Sequence, residues 1–127
     1  MTNVLLDTQL VIWALLAPER LGRGAQLIES SEATLHVSAA SWWEMAIKIA
    51  IGKLSLDLEE ARARCTAWGF VDLPVRTDDA LGVASLPALH GDPFDRLLVA
   101  QALRAPMHLL TADRQLAAYG ALVQVIG

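Results

Sequence analysis

The chain has 127 residues, one cysteine (Cys65) and three well-separated histidines (His36, His90, His108), so a single domain over residues 1–127 is expected, without disulfides or a Cys/His zinc site. Hydrophobic residues make up 54% and charged residues 19%, against about 25% charged in an average domain, which excludes a disordered chain. The formal net charge of −4 leaves no generally basic surface for a phosphate backbone.

Asn3-Val4-Leu5-Leu6 is a short apolar run ended by Asp7, a strand, and Thr8 to Ala17 reads as a helix stopped by Pro18. The longest uninterrupted apolar stretch, Leu10 to Ala17, is far short of the roughly 18 residues that span a membrane. With no basic start of a signal peptide either, the expectation is a cytoplasmic protein with no membrane contact. Leu21 to Ser31 predicts a second helix and Thr34 to Val37 a second buried strand. Ser41-Trp42-Trp43-Glu44 opens a third helix ending near Gly52, with the Ser-x-x-Glu spacing of a capping box. Leu58 to Trp68 is helical up to Gly69, and Phe70 to Val75 suits a short strand whose Pro74 implies an edge or an end. Thr77 to Leu86 predicts a further helix. Asp92-Pro93-Phe94-Asp95 then offers an N-cap Asp and Pro at the first helical position of a helix running to Arg104. Met107 to Leu110 is a strand, Ala112 to Tyr119 a short helix and Leu122 to Ile126 a last strand. Strands alternating with helices imply an α/β domain with a mainly parallel, roughly five-stranded sheet covered by helices on both faces.

In open sheets of this kind ligands bind beyond the carboxyl ends of the strands. The residues there are acidic: Asp7 after the first strand, Asp113 after the strand at 107–110, and Glu44 one turn into the helix after the second strand. Asp95 starts a helix that runs antiparallel to the strand it feeds, which brings it to the same edge. Four carboxylates in one cleft repel one another and call for a counter-charge. Oxygen donors with no His or Cys nearby favour Mg²⁺ or Mn²⁺ over zinc, and such ions suit in-line hydrolysis of a phosphodiester. Removing these four charges takes the formal balance from −4 to 0, so the acidic excess is accountable as a property of the site. Taken singly, each residue is equally a helix-start acid that caps amides and opposes the dipole; the two roles are compatible, since helix N-termini keep carboxylates ionised.

Leu5-Leu6-Asp7-Thr8, Ser41-Trp42-Trp43-Glu44-Met45-Ala46-Ile47-Lys48 with Gly52-Lys53-Leu54, His90-Gly91-Asp92-Pro93-Phe94-Asp95-Arg96-Leu97-Leu98, and Leu110-Thr111-Ala112-Asp113 together resemble the PIN-domain ribonucleases, specifically the VapC toxins of bacterial type II toxin–antitoxin pairs. The resemblance spans almost the whole chain. It implies a three-layer α/β/α fold, an acidic quartet of Asp7, Glu44, Asp95 and Asp113 that binds Mg²⁺ or Mn²⁺ and cleaves RNA, a homodimer, and a cognate antitoxin lying across the cleft. Thr8, Ser41, Lys48, Asp92, Arg96, Thr111 and Arg114 are the expected supporting or substrate-facing residues, with Lys48, Arg96 and Arg114 placed to meet RNA phosphates. Gln9 is a departure, standing where many relatives of this subgroup have His; it bears on substrate choice rather than on the quartet.

Lys48 is also the partner of Glu44 in an i,i+4 pair, worth only about 0.2–0.5 kcal/mol on a helix surface. Trp42 and Trp43 point in different directions from one helix, which is either deeply buried or pressed on a neighbouring chain. Cys65 and Trp13 read as core. Two other classes lack a residue that they need. A phosphoacceptor receiver domain needs a late Lys, and none follows Lys53; a haloacid-dehalogenase phosphatase needs Asp where Gln9 stands. A catalytically silent binding module on the same fold is the remaining alternative.

Overall fold

The computed structural model describes residues 2–126. Strand β1 (Thr2–Leu6) turns at Asp7 into α1 (Thr8–Leu16), and Pro18 ends the apolar run by opening a 3₁₀ turn, Pro18–Leu21. Helix α2 occupies only Gly24–Glu29 of the expected 21–31. Gly22, at φ +52°, breaks the chain direction there in a conformation that side chains disfavour. Gly24 lies so close to Ile126 that a Cβ would sit 2.6 Å from its Cδ1.

Strand β2 (Ala33–Ser38) runs straight into α3 (Ala39–Ala50); α4 (Leu58–Ala67) precedes β3 (Val71–Leu73), and α5 (Thr77–Val83) stops short of the expected Leu86. Helix α6 (Pro93–Arg104) has the predicted ends, and its start is written locally: Asp92 Oδ1 accepts the N–H groups of Phe94 and Asp95 at 2.8 and 3.1 Å. Strand β4 (His108–Thr111) is followed by the expected short helix, which is 3₁₀ and spans Arg114–Tyr119 of the predicted 112–119, and β5 (Val123–Val125) closes the sheet.

The five strands lie in the order β3-β2-β1-β4-β5, every pair parallel. Pro74 follows an edge strand, as its missing N–H requires. Successive residues of a strand face opposite sides. Accordingly Val4, Leu6 and Leu110 join Leu10 and Val11 of α1, Met45 of α3 and Cys65 of α4 on one face, while Leu5 and Leu109 join Leu98, Val99 and Ala102 of α6 and Leu116 on the other. The result is three layers, helix on sheet on helix. Leu5, Leu6, Leu10, Leu98 and Leu109 have no exposed surface, each burial being worth about 1.5–3 kcal/mol. A one-residue slip of β1 would exchange its two faces, so this burial fixes the register. Among the described residues no helix is long and apolar enough to cross a membrane.

Candidate metal centre

Parallel strands deliver their carboxyl ends to one edge, and the acids meet there. Asp7 leaves the central strand with its N–H bonded to the Leu110 carbonyl at 2.9 Å, which ties it to β4. Its Oδ2 accepts the buried Thr111 hydroxyl at 2.6 Å. The same Thr111 oxygen accepts the Asp113 N–H at 3.0 Å. One hydroxyl therefore sets the spacing of two acids. Asp95 lies in the first turn of α6.

Glu44 arrives on α3, by a different route from the one expected. The capping box of Ser41 and Glu44 is not formed: Ser38 caps the helix, its Oγ accepting the Ala40 N–H at 3.0 Å. The pairing of β2 with β3 extends to Ser38 opposite Leu73, so the strand ends there and the helix begins at Ala39. Buried Ser41 instead accepts the Thr8 hydroxyl at 2.8 Å, binding the first turn of α3 to that of α1.

Asp7, Glu44, Asp95 and Asp113 line one cleft of about 330 Å³, together with Thr8, Gln9, Lys48 and Asp92. Burial pushes the Asp95 carboxyl up to about 7; the charges of Asp7 and Asp92 add to this, His90 opposes it, and Glu44 adds a smaller push. Asp7 is raised too, mainly by burial, against the lowering effect of the Thr111 hydrogen bond. Glu44 Oε2 pairs with Lys48 Nζ at 3.1 Å, whereas its Oε1 is buried without a hydrogen-bond partner. Crowded carboxylates with raised protonation and an orphaned oxygen fit a hard divalent cation, whose charge would reverse both penalties.

His90 was missed. Its Nε2 lies 2.9 Å from Asp113 Oδ2 and 3.7 Å from Asp95 Oδ2, and these three residues can bring one ligand atom each within 4.8 Å of one another. This corrects the expectation of a site with no His nearby. The signal was its place in His90-Gly91-Asp92, just ahead of the helix start at the carboxyl edge.

Arg96 does not reach the cleft as a phosphate ligand. Its guanidinium donates to the carbonyls of Val83 and Pro87, both at 3.2 Å, and to the Tyr119 hydroxyl at 3.4 Å, so it holds the loop between α5 and α6. Arg114 is exposed and outside the cleft lining. Helix α3 buries only Ala40, Ser41 and Met45. Trp43 is 61% exposed, edge-on to Phe94 at 5.1 Å, and heads an open stripe with Ile47 and Ile51. Deep burial of this helix is thereby ruled out. Trp13 is half-buried beneath Arg20, and Cys65 is a core residue whose thiol burial pushes up to about 11.

Residues 4–122 match the PIN domain family. Ribonuclease VapC22 of Mycobacterium tuberculosis (strain ATCC 25618 / H37Rv) is 37% identical over 124 residues, 91% of each chain. The fold also resembles VapBC2 from Rickettsia felis bound to a DNA fragment from its promoter, with a TM-score of 0.73 at 13% identity over 98% of both chains. A toxin–antitoxin complex from Klebsiella pneumoniae gives 0.66 at 19% identity over 96% of both. At those identities the two structures speak for the fold alone, and the sequence match carries the kinship. The chain belongs to the PIN-domain family, on its VapC branch.

Proposed function

We propose that this protein is a divalent-metal-dependent endoribonuclease and the toxin of a toxin–antitoxin pair, working in the cytoplasm. The observation that carries the reading is the convergence of Asp7, Glu44, Asp95 and Asp113 on one cleft in which a buried Glu44 oxygen has no partner. The match to a ribonuclease over nine-tenths of both chains supports it.

The four carboxylates would hold Mg²⁺ or Mn²⁺. When bound, the ion neutralises charge at the scissile phosphate and makes water a better nucleophile. The protein's part is to present its oxygens in fixed positions. Thr111 orients Asp7 and Asp113 from below the cleft, and the Thr8–Ser41 bond fixes α3, hence Glu44, against α1. Asp95 must give up its proton before it can serve as a ligand, which near pH 7 is a small step for a carboxyl raised to about 7. Lys48, partly exposed beside Glu44, is the cationic side chain lining the cleft and the one placed to meet an RNA phosphate. Gln9 lines the same cleft and faces the substrate there.

Two protein partners belong to this reading. An antitoxin is supported by the toxin–antitoxin assembly of structural relatives, and a second copy of the chain by the open stripe Trp43, Ile47 and Ile51 on α3.

RNA cleavage measured with Mn²⁺, with EDTA, and in Asp7→Ala and Asp95→Ala tests the proposal. Cleavage is expected only for the wild type with metal; activity that survives chelation and both substitutions would overturn it.

A further inference from the structure

We infer that His90 is a positioning residue of this centre, holding Asp113 through its Nε2–H while the peptide N–H of Asp92 fixes the orientation of the ring. The inference rests on the reading above, in which Asp113 helps to hold a divalent cation.

The direction of each hydrogen bond follows from which atoms are able to donate. The Asp92 N–H lies 3.1 Å from His90 Nδ1, and a peptide N–H only donates, so Nδ1 presents its lone pair. In a neutral imidazole the hydrogen is then on Nε2. That nitrogen is 2.9 Å from Asp113 Oδ2 and donates to it. The other Asp113 oxygen, Oδ1, accepts the Gln115 N–H at 2.9 Å. Each carboxylate oxygen thus takes one donor from the protein and keeps lone-pair capacity for a cation.

The ring itself is held firmly. His90 is only 11% exposed, and Arg96 clamps the loop that bears it to α6 and, through Tyr119, to the 3₁₀ helix that Asp113 caps. Asp92 acts twice, capping α6 with its carboxylate and locking the imidazole with its N–H. Direct ligation by His90 would require Nε2 to drop its bond to Asp113, since Nδ1 is already occupied. Hydrogen-bond partners of metal ligands are worth about 10–100-fold in metal affinity.

The test is calorimetric titration of the full-length chain with Mn²⁺, for wild type, His90→Ala and His90→Gln, alongside ¹⁵N spectra of the metal-free imidazoles and pulsed electron paramagnetic resonance of the Mn²⁺ form. Expected are an affinity about 10–100-fold lower in His90→Ala, recovery of most of it in His90→Gln, whose amide also donates, an Nε2–H tautomer, and no nitrogen bonded to Mn²⁺. A folded His90→Ala that binds Mn²⁺ like the wild type overturns the inference, and so does a directly coordinated nitrogen. If His90→Ala does not fold, His90→Gln and the wild-type spectra decide the matter alone. A wild type that fails to bind Mn²⁺ at all overturns the metal centre and this role with it, an outcome distinct from either of the others.

Discussion

At Asp95 the protein keeps a carboxyl group where its neutral form is favoured. Its ordinary value is 3.8 and its folded value about 7, so between those limits the folded chain binds a proton that the unfolded chain has released. This group's contribution to stability therefore falls as pH rises from about 4 to 7 and stays low above that range. Asp95→Asn removes the penalty. In EDTA at pH 8 the variant is expected to be more stable than the wild type by on the order of 3–4 kcal/mol, with the gap closing towards pH 4, as read by thermal melts at each pH. Its Mn²⁺-dependent cleavage should fall to background in the same samples. Thr111→Val tests the other side of the cleft: it removes the donor to Asp7 and the acceptor of the Asp113 N–H. A loss of about 1–3 kcal/mol in urea unfolding is expected for groups left unpaired in a buried place. The acids were legible in the sequence because strand ends in a parallel sheet share an edge. Thr111 was legible only as a neighbour of Asp113, since its hydrogen bond to Asp7 depends on how close β4 brings the two.

The elements divide in the same way. The start of α6 could be read because Asp92 and Pro93 act within one turn of themselves. Ser41 misled because two serines stand near the start of α3, and which of them caps is decided by where β2 stops pairing with β3, a fact outside the local sequence. Asp92→Ala should cost about 1 kcal/mol, typical for a lost N-cap, and reduce Mn²⁺ affinity, since the segment it orders carries Asp95 and His90; urea titration and calorimetry read the two effects separately. Arg96, bonded to the carbonyls of Val83 and Pro87, is a structural cation, and Lys48 is the one proposed to face the substrate. Arg96→Met should lower the melting temperature and leave the salt dependence of RNA cleavage unchanged, whereas Lys48→Gln should leave the melting temperature within a degree or two and flatten the salt dependence by about one counterion. Reversal of that pattern would place Arg96 back at the RNA. Helix α6 is also joined to the rest of the α/β frame by buried and part-buried polar bonds that no periodicity announces. Ser38 donates to Gln101 at 2.6 Å and Gln101 to the Pro74 carbonyl at 3.3 Å, and Arg104 pairs with buried Asp79 at 2.5 Å.

For the whole molecule, the two faces of the sheet were legible as apolar strands, whereas the order β3-β2-β1-β4-β5 was not, since the handedness of crossovers sets the face a helix covers and not the side of β1 on which the next strand joins. The use of the surplus apolar surface was not legible, because Trp42 and Trp43 look alike in sequence and only packing leaves Trp42 half-buried and Trp43 exposed. If the stripe on α3 is the contact between two copies, Ile47→Asp should convert a dimer to a folded monomer in sedimentation velocity, with unchanged Mn²⁺ affinity.

The bond between Thr111 and Asp7 joins positions 104 residues apart, and it has a consequence for when the protein becomes dangerous. During synthesis Asp7, Glu44 and Asp95 are all made while β4 is still to come. A growing chain has no partner for the far side of β1, and its cleft has no fourth wall. Enzymatic competence therefore waits for β4, and a translation product interrupted before it carries the parts of a nuclease without the nuclease.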